Sequence, residues 1–158
     1  MENVEGWKIP VFFGRFDHTI DAKGRISIPA QFRDVLLGDP RLIVAPYTVY
    51  GQRCLDLYPQ AEWQKLLDKF SALPRFSPNA VKFEMGYLAR SHRCELDAAG
   101  RILLPPVLRQ HAALKKDVVF LGVHARFRLM DQESWVKVES EHDAEAVANP
   151  AMYQDLGI

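Results

Sequence analysis

The run Asp21-Ala22-Lys23-Gly24-Arg25-Ile26-Ser27-Ile28-Pro29 returns 76 positions later as Asp97-Ala98-Ala99-Gly100-Arg101-Ile102-Leu103-Leu104-Pro105. The match spreads outward: Ile20 answers Leu96, Phe32 answers Leu108 and Arg33 answers Arg109. Further on, Leu55-Asp56-Leu57 with Trp63 is answered by Phe127-Arg128-Leu129 with Trp135 at an offset of 72, which predicts a shorter loop in the second copy. Two copies are too few for a solenoid. In a chain of 158 residues they predict two halves packed on each other as a covalent pseudo-dimer.

Each copy has the same internal order. An apolar stretch (Val11–Ile20, Leu88–Leu96) leads into Asp-x-x-Gly-Arg. Gly24 and Gly100 suit a tight turn with positive φ, and Asp21 and Asp97 can hydrogen-bond the turn backbone. The chain then reverses into the short apolar strands Arg25–Ile28 and Arg101–Leu104, a β-hairpin signature. Short helices are expected over Pro29–Leu37 and Pro106–Ala113, since proline is tolerated at the first helical position. Strand pairs follow (Leu42–Ala45 with Cys54–Tyr58, Val118–Leu121 with Phe127–Leu129). Each copy closes on a helix, Gln60–Leu73 with Trp63 and Gln132–Val147 with Trp135 behind an Asp131 cap. The tryptophans are expected as core anchors. A linking helix is expected near Asn79–Tyr87. The resulting division is an N-terminal extension (1–10), a first repeat (11–75), a linking helix (76–87), a second repeat (88–145) and a C-terminal tail (146–158).

Charge and cysteine usage narrow the function classes. The formal net charge is zero, but it is unevenly spread. Between Tyr87 and Lys116 six basic residues stand against Glu95 and Asp97, whereas from Asp131 onward seven acidic residues stand against Lys137 alone. Such segregation is compatible with an anionic partner despite the neutral total. Cys54 and Cys94 form no Cys-x-x-Cys pair and no cysteine–histidine cluster, so no metal, cofactor or disulfide framework is expected. MENVEGWKIP is not a secretory signal, and no run of eighteen apolar residues occurs. The expectation is a cytoplasmic protein without a membrane span. His18 near Asp21 and Ser91-His92 near Asp97 are the only hints of catalysis. No nucleophile-elbow or phosphate-cradle motif surrounds them, so no catalytic residues are assigned and no enzyme is expected.

At the repeated arginine two readings stand side by side. Arg25 and Arg101 offer a rigid fork of donors that fits phosphate or the O6/N7 edge of guanine. They are equally placed to form ion pairs with Asp21 and Asp97 that pin the turn.

The doubled motif resembles the signature of the MraZ family. Phe12-Phe13-Gly14 and Thr19 to Pro29 resemble its first half, Cys94 to Pro106 its second, and Leu57-Tyr58-Pro59 with Glu62-Trp63 fits between them. The resemblance implies an α+β fold of two tandem AbrB-like swapped-hairpin β-barrel units with flanking short helices. It implies a DNA-binding transcription regulator that assembles into homo-oligomeric rings. Such a protein acts through short direct repeats of double-stranded DNA in the promoter of the division and cell-wall gene cluster, and associates with the nucleoid. On this basis Lys23, Gly24, Arg25 and Arg101 are candidate DNA-binding residues. Arg15 and Arg33 are further candidates for phosphate contact, and Asp21, Asp97 and Gly100 are structural members of the motif. Ala99 stands where the first copy has Lys23, which sets the two halves apart. The alternative is a swapped-hairpin protein-interaction module of antitoxin type with DNA binding secondary; such modules carry one unit and a partner-binding tail.

Overall fold

The computed structural model describes residues 9–158. The expected extension 1–10 thus lies outside the described residues except for Ile9 and Pro10. The fold is mixed α+β. In the first copy, β1 (Phe12–Thr19) and β2 (Arg25–Ser27) flank the Asp-x-x-Gly-Arg turn, followed by α1 (Ala30–Val35), β3 (Arg41–Val49), β4 (Gln52–Pro59) and α2 (Gln60–Ser71). The connection is α3 (Pro78–Phe83) running into a π-helical turn, Glu84–Leu88. The second copy supplies β5 (His92–Glu95), β6 (Arg101–Leu103), α4 (Pro106–His111), β7 (Asp117–His124), β8 (Phe127–Asp131) and α5 (Gln132–Ala148). Ser77 caps α3 by accepting the Ala80 N–H, and Asp131 caps α5 by accepting the Glu133 N–H.

Six strands form one antiparallel sheet in the order β1-β7-β8-β4-β3-β5, and β2 and β6 form a separate two-stranded ribbon. Reversing the order exchanges one copy for the other, so a pseudo-two-fold axis runs between β4 and β8. A second meeting point is the ribbon, where Ile26 pairs with its own equivalent, Ile102. The chain therefore crosses between halves. β1 pairs with β7, β5 with β3, and β2 with β6. A hairpin confined to each copy is the local expectation, but it extends only through the turn itself. A three-residue strand is too short to hold a hairpin alone. Pairing with its equivalent lets Ile26, Ile28, Ile102 and Leu104, each at most 1% exposed, face one shared core.

That core lies between ribbon and sheet. Phe12, Phe32, Leu55 and Leu57 from the first copy pack with Leu108, Phe120, Phe127 and Leu129 from the second. Phe32 meets Phe12 edge-on at 5.3 Å between ring centroids and Phe127 at 4.8 Å. Burial of each such side chain contributes roughly 1.5–3 kcal/mol. The sheet's other face is covered in two patches. Trp63 and Tyr87 cover Ile43, Ala45 and Tyr58, and Val138 with half-buried Trp135 covers Cys54, Val119, Leu121 and Met130. Both cysteines are free and buried, and burial pushes their thiols up to about 12 (Cys54) and about 11 (Cys94).

The two β-hairpins differ as the change of offset requires. The first turns through Tyr50 and Gly51, both at positive φ (50° and 73°), between paired Val49 and Gln52, a two-residue type I′ connection. The second pairs only Val118–Gly122 with Phe127–Asp131. The shortening falls on the arms rather than on the loop. It is shared by both arms, so the alternation of inward and outward side chains survives.

Candidate nucleic-acid interface

The two Asp-x-x-Gly-Arg turns have the same hydrogen bonds. Asp21 Oδ1 accepts the backbone N–H groups of Lys23 and Arg25, both at 2.9 Å, and Oδ2 accepts the Arg25 Nε–H at 2.8 Å. Asp97 Oδ1 accepts from the Ala99 and Arg101 backbones at 2.9 Å, and Oδ2 from Arg101 Nε at 3.1 Å. The main chain closes each turn. Gly24 N–H donates to Asp21 O and Asp21 N–H to Arg25 O; Gly100 and Asp97 repeat the pattern. These donors, the arginine backbone N–H first, hold both aspartates below the usual carboxylate range.

Glycine is required at the turn on two counts. Gly24 and Gly100 sit at φ +86° and +77°. A Cβ on Gly24 would lie 2.8 Å from Arg109 Cζ, and one on Gly100 would lie 2.7 Å from Arg33 Nη1. Each turn is therefore covered by an arginine from the other copy. The glycine carbonyls also extend the ribbon across the copies, accepting Leu104 N–H at 3.0 Å and Ile28 N–H at 2.9 Å.

Strand alternation sets what the ribbon shows to solvent. Ile26 and Ile102 point inward, so Arg25, Ser27, Arg101 and Leu103 share the outward face. The side chains of Arg25 and Arg101 are 38% and 39% exposed, so neither guanidinium is sealed in the interior. Among the described residues, only the Nε edge of each is hydrogen-bonded, to the turn aspartate. The ion pair and the free fork thus coexist. The aspartate fixes the root of the side chain while the outer nitrogens face solvent.

The other candidates fall in different places. Lys23 is exposed at the tip of the first turn. Arg33 belongs to the second turn, over Gly100. Arg15 lies in mid-strand β1, paired with Asp17 at 3.2 Å, and lines the cavity beneath α5 with Trp135 and His142 rather than joining the turns. The structure thus brings together Lys23, Gly24, Arg25, Arg33 and Arg101, with Asp21, Asp97 and Gly100, and leaves Arg15 apart. Sequence reasoning passes over two members. Arg109 covers Gly24 as Arg33 covers Gly100, and the 76-residue match of Arg33 with Arg109 was the available signal. Leu103 stands 60% exposed on the outward face, where an apolar strand residue is expected to be core.

His18 packs edge-on against Phe120 at 5.4 Å, and burial, the main cause, lowers its pKa. Asp21 and Asp97 spend both carboxylate oxygens on turn donors. Among the described residues no helix is long and apolar enough to cross a membrane.

The MraZ family model, which describes an antitoxin-like MraZ protein, matches residues 11–85 and 87–155. The transcriptional regulator MraZ of Thermomicrobium roseum is 38% identical over 146 residues, spanning 92% of this chain and 97% of that protein. That of Heliobacterium modesticaldum is 41% identical over 127 residues, 80% and 85% of the two chains. That of Desulfitobacterium hafniense is 40% identical over 149 residues, 94% and 100%. Likeness to the solution structure of PHS018 from Pyrococcus horikoshii, at 16% identity and a TM-score of 0.36 over 73% of this chain and 95% of that one, is too slight to bear on the fold. With two family matches that between them take in nearly every residue from 11 to 155, coincident with two structurally equivalent halves, the chain belongs to the MraZ family.

Proposed function

We propose that this protein is a sequence-specific DNA-binding transcription regulator whose reading element is the β2–β6 ribbon with its two turns. The observation that carries the reading is the outward face of that ribbon, where Arg25 and Arg101 stand half-exposed on a rigid, aspartate-pinned backbone. A two-stranded ribbon fits the major groove, and an arginine fork matches the O6/N7 edge of guanine. Lys23 contacts phosphate beside it, as do Arg33 and, from outside the turns, Arg15. The shared name of the relatives, transcriptional regulator MraZ, supports the same assignment. In this reading each half is an AbrB-like swapped-hairpin unit, an arrangement supported by the exchange of β1, β2, β5 and β6 between copies. The division is 11–75 and 88–145, with 76–87 as link and 1–10 and 146–158 as extensions.

One arginine–guanine pair discriminates by about 1–3 kcal/mol, too little to single out a promoter. Several units must act together. A homo-oligomeric ring on direct repeats of the division and cell-wall gene cluster promoter provides this, with the protein in the cytoplasm at the nucleoid. The test is a gel shift on the DNA upstream of the protein's own gene. Arg25→Ala is expected to abolish sequence-specific binding while oligomer size stays that of the unmodified protein and the melting temperature falls only slightly, by the loss of one exposed ion pair. Retained specific binding by Arg25→Ala would refute the assignment.

A further inference from the structure

The two halves of the ribbon do not offer the same chemistry to a ligand. In the antiparallel register Arg25 stands opposite Leu103, and Arg101 stands opposite Ser27. Cross-strand partners share a face. The outward surface therefore consists of two arginine pairs related by the pseudo-two-fold, one completed by a leucine and the other by a hydroxyl. Leu103 is 60% exposed, while the neighbouring Ile102 and Leu104 are 1% and 0% exposed. It therefore contributes little to the core. Its cationic surroundings (Arg25 opposite, Arg101 two residues before it, Arg33 over Gly100) favour an anionic ligand over an apolar protein surface.

Resting on the DNA-binding reading above, we propose that Leu103 is a specificity-determining residue that reads the C5-methyl group of a thymine next to the guanine read by Arg25. The thymine methyl is the apolar feature of the major-groove edge. Directly opposed side chains have Cβ atoms about 4.5–5.5 Å apart, comparable with the ~3.4 Å spacing of bases along a strand. A leucine opposite Arg25 thus reaches the base one or two steps away. On the other half Ser27 has no methyl to read and accepts any neighbour of the guanine facing Arg101. One ribbon consequently selects an asymmetric sequence in spite of its two-fold backbone.

The experiment compares binding of the full chain to its own upstream DNA with the same duplex carrying deoxyuridine for thymine, a change that deletes only the methyl groups. The unmodified protein is expected to bind the uracil duplex about 4-fold more weakly, the worth of one buried methyl group. Leu103→Ser is expected to bind thymine DNA weaker by a similar factor and to bind both duplexes alike. As the side chain is exposed, its melting temperature should not move. Equal binding of both duplexes by the unmodified protein would overturn the proposal and leave the DNA-binding reading standing. So would uracil sensitivity that persists in Leu103→Ser, or a change of oligomer size as its only effect, the mark of a leucine covered by a second copy. Absence of specific binding to either duplex would sink the DNA-binding reading itself.

Discussion

At the scale of single residues, the site depends on two aspartates whose every oxygen is used. Their carboxyl groups ionise below the ordinary value of 3.8 because the folded turn donates to the charged form, and Asp39, bonded first by the Arg41 side chain, is held at about 2. A folded-state pKa below the unfolded one gives stability that is complete above the unfolded value and is lost as pH falls through the folded one. The melting temperature should accordingly hold down to about pH 4 and drop between about pH 4 and 2. Asp21→Asn should flatten part of that drop and lower the plateau, because its amide meets Arg25 Nε donor to donor. Melting profiles of the two proteins that stay parallel through this window would contradict the role given to Asp21. The repeated Asp, Gly and Arg were legible in the sequence because a tight turn restricts its residue types. Leu103 was not, since solvent exposure of a strand position depends on register with a partner 78 residues away.

At the scale of elements, the seam between β4 and β8 joins two equivalent positions with opposite charge. Asp56 pairs directly with Arg128, its counterpart in the other copy. Asp56 is 1% exposed and accepts from Arg128 Nε at 2.7 Å and from the Tyr87 hydroxyl at 2.8 Å, with Arg126 Nε at 3.5 Å. The Arg128 guanidinium also lies 4.8 Å from the centre of the Tyr47 ring. A buried pair of this kind adds little net stability, but removal of one partner strands the other charge. Asp56→Leu should therefore cost about 3–5 kcal/mol in a denaturant titration, and Asp56→Leu combined with Arg128→Met should recover most of it. A double variant no more stable than Asp56→Leu would show that Asp56 acts through Tyr87 and Arg126 instead. The repeat alignment places these residues as equivalents. That equivalents would meet across a dyad is a matter of long-range strand order, which local patterns do not carry.

At the scale of the whole molecule, the doubled motif made the pseudo-dimer readable, because a three-residue strand beside each turn needs a partner strand that its own half does not supply. The exchange of strands follows from the same need. Ribbon, α1 and α4 all face one core built from both copies. This places the two turns at either end of one short ribbon, each covered by an arginine of the opposite half. The DNA-reading account hangs on that ribbon and on the outer edge of Arg25. Replacement of guanine by 7-deazaguanine in the upstream duplex removes the N7 acceptor and leaves base pairing intact. The unmodified protein should lose about tenfold in affinity, within the range of one arginine–guanine pair, while Arg25→Ala should lose less, keeping only the sensitivity that comes through Arg101. Undiminished binding of the unmodified protein to the deazaguanine duplex would contradict it.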